Sequence, residues 1–154
     1  MFPKSIFYYI IIIVLFFSCE NSLSDNTDES ESTTGNSTDL ISIGFGAITD
    51  SLVEIIMSTS DDVGGFQFKI TGLTINAAHG GIAEDSGFTV SFGDTGVVLG
   101  FSMSGNIIPA ASDGILTNLS YTNITSEICI NDVVLSDPNG IALEIDLIGD
   151  CIEY

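Results

Sequence analysis

The chain has 154 residues, with 21 Asp and Glu against 2 Lys and Arg, giving a formal net charge of −19 at pH 7. A surface this acidic repels a duplex or an anionic headgroup and offers no basic patch to neutralise phosphates, so nucleic-acid binding is excluded. The length and a hydrophobic content of 45% suit one domain with a real core and are too small for two ordinary ones.

The chain opens with Lys4 and an unbroken apolar and aromatic run from Ile6 to Phe17, closed by Ser18-Cys19-Glu20. A helix needs about 20 apolar residues to cross a bilayer, so this run is too short to span and reads as a targeting segment. It resembles a bacterial lipoprotein signal. That resemblance implies cleavage after Ser18 and a diacylglyceryl group on the thiol of Cys19, with residues 1–18 removed. Two or more acyl chains, at about 0.8 kcal/mol for each buried methylene, hold a protein stably on a membrane. The expected location is therefore a bacterial outer membrane or cell surface, extracytoplasmic, with the membrane contacted through the lipid anchor alone.

All of the acidic residues lie at or after Glu20. Residues 19–40 pair the lipidated cysteine with Ser, Thr, Asn, Asp, Glu and Gly, and Leu23 is their only large apolar residue before Leu40. Such a stretch buries too little apolar surface to offset its ordering entropy and is expected to be a disordered acidic tether. Its root-mean-square span is roughly 25 Å, which would hold the folded domain off the membrane.

From Ile41 to Tyr154 the pattern changes to short runs of period two separated by Gly, Asp, Asn and Ser. Val53, Ile55 and Met57 face one way with Glu54 on the other side, and Phe66, Phe68 and Ile70 oppose Gln67, Lys69 and Thr71; each is a strand with one wet face. Gly72 shifts the phase, which suggests a bulge continuing into Leu73 and Ile75. The same alternation places Phe88, Val90 and Phe92 on one face, as it does Val97, Leu99, Phe101 and Met103. Tyr121 shares its parity with Leu119 and is expected in the core. Val133 to Leu135 and Ile141 to Leu147 flank Asp137-Pro138-Asn139-Gly140, where proline fixes φ early and glycine accepts a positive φ late; these two runs should form a hairpin. No segment after the signal has helical period. The fold expected is all-β, an antiparallel jelly-roll-type sandwich of eight or nine strands.

With Cys19 assigned to lipid, Cys129 and Cys151 remain as a pair in an oxidising compartment, where a disulfide is the expected state. Closing that loop is worth about 3 kcal/mol on the chain-entropy estimate. A zinc site is disfavoured, because the only histidine, His79, lies far from both cysteines in sequence.

The run from Val53 to Ile70 resembles the opening of a cohesin domain, with an alternating strand, a polar turn and then Gly65-Phe66-Gln67-Phe68. Val98-Leu99-Gly100-Phe101-Ser102, Ile108-Pro109 and Gly114 to Tyr121 resemble that family's later strands, and the terminal pair of runs from Val133 to Ile145 matches in layout. The resemblance covers nearly the whole folded region. It implies a jelly-roll sandwich of the same broad superfamily as many carbohydrate-binding modules, with a non-catalytic role. Cohesins grip dockerin modules through one exposed sheet face, often assembling polysaccharide-degrading enzymes on a cell surface. The partner implied is thus a dockerin-like protein; the alternative is an extracellular glycan bound by a carbohydrate-binding module. No binding residue can be carried over.

No residue is assigned a catalytic role. His79 stands alone in Ala77-Ala78-His79-Gly80-Gly81, read as a loop, and no Gly-x-Ser-x-Gly nucleophile elbow accompanies it. The acidic pairs Asp61-Asp62 and Glu84-Asp85 lie in turn-like sequence, and adjacent strand residues would point apart in any case. There is no Asp-x-Asp-x-Asp-Gly loop for calcium. No metal and no cofactor are expected.

Overall fold

A computed structural model describes residues 40–153. The expected signal peptide, Cys19 and the tether as far as Asp39 lie outside the described residues, as does Tyr154. In chain order the elements are β1 (Ser42–Ile48), β2 (Leu52–Thr59), β3 (Gly65–Thr71), β4 (Thr74–His79), α1 (Gly81–Asp85), β5 (Thr89–Phe92), β6 (Val97–Phe101), β7 (Ser112–Thr122), β8 (Glu127–Ser136), β9 (Leu147–Ile148) and β10 (Ile152–Glu153). They form two five-stranded sheets, ordered β4-β7-β2-β1-β9 and β10-β8-β3-β6-β5. The all-β sandwich is as the alternation predicted. Pairing is antiparallel except between β1 and β9, which run parallel.

The core lies between the sheets, filled by alternate residues from each. Val53, Ile55 and Met57 enter from β2, while Phe66, Phe68 and Ile70 enter from β3; all six are buried, with Phe68 fully so. Burying such a side chain contributes about 1.5–3 kcal/mol, which fixes strand register because a one-residue slip would turn the whole set outward. Phe66 stacks against Phe68 at 6.0 Å between ring centroids and against Phe88 at 6.1 Å. Tyr121 is buried as expected, and its hydroxyl donates to the carbonyl of Thr49 at 2.7 Å.

Four expectations need correction. First, β6 faces the opposite way: Val98 and Gly100 point inward, whereas Leu99 is 42% and Met103 is 90% exposed. The reason is steric, since a Cβ built on Gly100 would sit 2.1 Å from the Phe66 ring. Aromatic bulk from β3 occupies the space that an inward β6 side chain would need, so the larger residues of β6 are turned out. Along β5, Phe88 is buried just ahead of the strand but Phe92 is 40% exposed at the sheet edge.

Second, Gly72 is a corner and not a bulge. The chain leaves the second sheet at Thr71 and enters the first at Thr74, and Gly72 makes that crossing at φ +91°. Its carbonyl accepts from the N–H of Thr125 at 2.7 Å and from the Thr125 hydroxyl at 3.0 Å. A Cβ there would overlap the carbonyl oxygen of Glu127, so close approach as well as φ demands glycine.

Third, the terminal hairpin is reduced to its turn. Asp137 N–H donates to Ile141 at 2.8 Å and Leu143 N–H to Leu135 at 2.9 Å, with a single bridge between Ser136 and Ala142. The chain must then cross from β8 in one sheet to β9 in the other. Leu143 and Ile145 accordingly pack against the core from the open side instead of extending a ladder. Fourth, Gly81–Asp85 is a short helix, too brief to show a period in the sequence; it packs on β7 and β5 and buries Ala83 completely.

The turn itself follows its chemistry. Gly140 adopts φ +81°, and the carboxylate of Asp137 accepts from the N–H of Ile141 at 2.7 Å and from the N–H of Asn139 at 2.9 Å. The Asn139 side-chain amide adds a third bond at 3.1 Å. The Ile141 N–H, followed by the Asn139 side chain, holds the Asp137 pKa below its ordinary value.

Two outcomes follow from this packing. Gly100→Ala should destabilise the domain by about 1–3 kcal/mol through overpacking, and Phe66→Leu in the same chain should restore part of that loss; urea midpoints read both. Because folding lowers the Asp137 pKa, the unfolded chain binds the extra proton, so this group's stabilisation is present above the unfolded value near pH 4 and is lost as pH falls through the folded value. NMR titration should place its midpoint below that of an ordinary carboxylate, and Asp137→Asn should flatten the acid limb of the stability curve.

Candidate functional site

The outward positions of β8, β3 and β6 form three rungs across the second sheet. The middle rung is Val134, Gln67 and Leu99; on one side of it lie Asn131, Lys69 and Val97, and on the other Ser136, Gly65 and Phe101. Period two delivers these residues to one face because Phe66, Phe68, Val98 and Leu135 fill the other. Leu99 and Val134 are 42% and 49% exposed. Large aliphatic residues this open, in register on either side of Gln67, make an apolar strip that water solvates poorly.

Beside this strip is a shallow depression of about 410 Å³, lined by Gly65, Gln67, Leu99, Phe101, Val134 and Ser136. Gly65 gives it depth, since no side chain rises between Phe101 and Ser136. None of the three rungs carries a carboxylate, although the chain holds 21. Lys69, half-buried on its rung, is the one fixed cation among the described residues. The three rungs are therefore apolar with Lys69 as their one charge, while the exposed Asp132 stands beside them in the bulge of β8.

A second opening, of about 370 Å³, lies where the chain crosses from β9 towards β10, beside Ile56, Leu147 and Asp150. Leu147 and Ile148 are 62% and 42% exposed there. This space is a gap between β1 and the C-terminal crossing, rimmed by Asp113 and Asp150.

The other residues singled out from the sequence fall into structural roles. His79 ends β4 and is not in a loop; it is exposed, with Nε2 3.4 Å from the hydroxyl of Ser120 on β7. That separation is long for a nucleophile and its base, and the two stand on an open sheet face. Asp62 accepts from the Ala110 N–H at 2.8 Å, fastening the loop between β2 and β3. Glu84 accepts from the Gly80 N–H at the start of α1. Both acidic pairs thus shape loops.

Cys129 and Cys151 are joined as a disulfide, with Cα atoms 4.3 Å apart. With Glu127 they form the one group of potential metal ligands among the described residues. The bond leaves no thiolate to ligate an ion, so the cluster is a covalent staple between β8 and the segment entering β10.

The strip on β6 is hidden in the sequence because Val97, Leu99 and Phe101 alternate as the core-facing residues of β2 and β3 do. A signal was nonetheless present. Val97-Val98-Leu99-Gly100-Phe101 is apolar at both parities, so it has no wet face to lose, and the glycine marks the parity that lacks room.

Comparison with known structures identifies the architecture. A non-cellulosomal cohesin from the archaeon Archaeoglobus fulgidus superposes with a TM-score of 0.52 at 18% identity, covering 71% of this chain and 88% of that one. The sixth cohesin of scaffoldin B from Acetivibrio cellulolyticus, solved in complex with a dockerin, gives 0.53 at 17% identity over 75% and 99%. A type I cohesin–dockerin complex from Clostridium thermocellum gives 0.52 at 15% identity over 74% and 98%. No family profile and no curated protein sequence matches the chain. The domain is a cohesin-like β-sandwich, as its strand pattern suggested, and at these identities the likeness is one of fold.

Proposed function

We propose that this chain is a surface-anchored, non-catalytic cohesin-like module that acts in protein–protein docking or scaffolding. Its partner is a dockerin-like protein, gripped by the outer face of β8, β3 and β6. The observation that carries this reading is the exposed, carboxylate-free apolar strip of Val134 and Leu99 on a fold shared with dockerin-binding structures. A strip of this kind loses unfavourable hydration when covered, and well-packed side chains near the centre of a face carry most of the energy of such contacts. Sugar binding would instead use a row of exposed rings as a stacking platform, and on these three rungs Phe101 is the only aromatic residue.

The anchor belongs to the same proposal. Residues 1–18 act as a lipoprotein signal, Cys19 carries the lipid, and residues 19–40 tether the domain of residues 41–154 at a bacterial outer membrane or cell surface. Display there suits a role in extracellular polysaccharide handling, where docking modules collect enzymes near their substrate.

Retention of purified dockerin modules on the immobilised protein tests the docking face. Leu99→Asp with Val134→Asp should weaken binding at least about tenfold while lowering the thermal midpoint by only a few degrees, because nearly half of each side chain is already exposed. A panel that yields no binder, or a double variant that binds as well as the parent, overturns the docking reading. The anchor is tested separately by intact mass: a diacylglyceryl adduct on Cys19, and transfer of Cys19→Ser from the membrane to the soluble fraction, are the expected results.

A further inference from the structure

Lys69 stands on the middle strand β3, one rung from the Val134–Gln67–Leu99 strip, with Val97 directly across on β6 and Asn131 directly across on β8. It is half-buried, the exposure of a lysine whose methylene stem lies along apolar surface. In a chain with 21 carboxylates, no acidic group among the described residues lies within ion-pair distance of it. Among the described residues its ammonium makes no hydrogen bond, and the amide of the facing Asn131 donates instead to the hydroxyl of Thr71 at 3.3 Å. The single cation of this surface is thus left unpaired beside the strip most suited to being covered.

Covering that strip takes water from the ammonium. An unpaired charge in a closed interface is costly, whereas an opposed carboxylate forms a charge-assisted hydrogen bond and a cation in the same place is repelled. Building on the docking reading, we infer that Lys69 is a specificity residue. It selects, among protein modules that fit the face, those whose apolar stripe carries one carboxylate opposite it. The net charge of −19 repels partners that are acidic throughout. The partner it fits is therefore neutral or basic overall with a single local acid, and that combination separates it from both broadly acidic proteins and uniformly basic ones.

The test uses the full chain and a panel of purified dockerin modules, sorted by whether the exposed apolar stripe bears Asp or Glu, or bears Lys or Arg instead. Carboxylate-bearing modules should bind the parent protein. Lys69→Met should weaken them at least about tenfold and Lys69→Glu further, with Lys69→Arg retaining most of the affinity. Replacing the module's carboxylate by its amide should abolish the difference between parent and Lys69→Met. A module that is lost on Leu99→Asp yet indifferent to Lys69→Glu overturns the role of Lys69 and leaves the docking face standing. Equal binding of modules with basic stripes overturns it as well. A parent protein that binds no module removes the docking reading and this inference with it.

Discussion

The contact between the Phe66 ring and Gly100 decides the orientation of β6, and through it the character of the outer surface. Phe66, Phe68 and Phe88 stack as a column inside the sandwich, and a ring projecting towards β6 leaves no volume for a side chain at the facing position. With Gly100 beneath the ring, Val98 is the inward anchor of β6, fully buried. Strand geometry then sends Val97, Leu99 and Phe101 to the solvent side. An interior packing requirement thus creates an exterior apolar face, without any exterior feature having specified it.

The C-terminal segment closes the sandwich by a different device. After β8 the chain abandons the second sheet and packs Leu143 and Ile145 against the core. It then joins the first sheet, with Asp146 and Leu147 N–H groups donating to the carbonyl of Ile41, and returns through Gly149 and Asp150 to pair beside β8. β9 and β10 contain two residues each, and ladders so short contribute little alone. The Cys129–Cys151 bond fastens the end of this route, which is where a covalent link has most effect: it ties a weakly paired segment to a central β-structure and reduces the freedom of the unfolded chain. The carboxylate of Asp146 also accepts from the N–H of Ile41, so the crossing holds the start of β1 in place.

The fold was legible wherever one face of a strand is wet. β2 and the inner face of β3 follow directly from alternation, because Glu54, Gln67 and Lys69 mark the outside. Legibility failed on β6, where both parities are apolar and only the volume of a residue distant in sequence decides between them. It failed again after Gly140, where Ile141, Leu143, Ile145 and Leu147 alternate as a strand would; the alternation there reflects a segment crossing an open side with one face on the core. The turn before it was readable, since Asp137 and Gly140 act within four residues of each other. Gly72 lay between these cases: its special conformation was visible, but whether the chain bulges or changes sheet depends on Glu127 and Thr125, more than fifty positions away. Sheet order was invisible for the same reason, being set by pairings between distant strands.

Charge distribution gives the exterior its remaining logic. A chain at −19 gains solubility from mutual repulsion, yet the same field opposes close approach by any acidic macromolecule. Acidic residues that serve the fold are held in loops and turns, as Asp62, Glu84 and Asp137 are by backbone N–H groups. The outward rungs of β8, β3 and β6 are free of them. Rungs without carboxylates can be dehydrated at lower cost than the acidic loops and turns, because aliphatic area gains on burial while buried acids would need partners. Affinity for a partner would then come from Leu99 and Val134, long-range repulsion would limit nonspecific association, and selectivity would fall to the few polar groups that remain. Lys69 is the only one of these groups with a fixed charge, so on the docking reading the choice of partner would concentrate at that position.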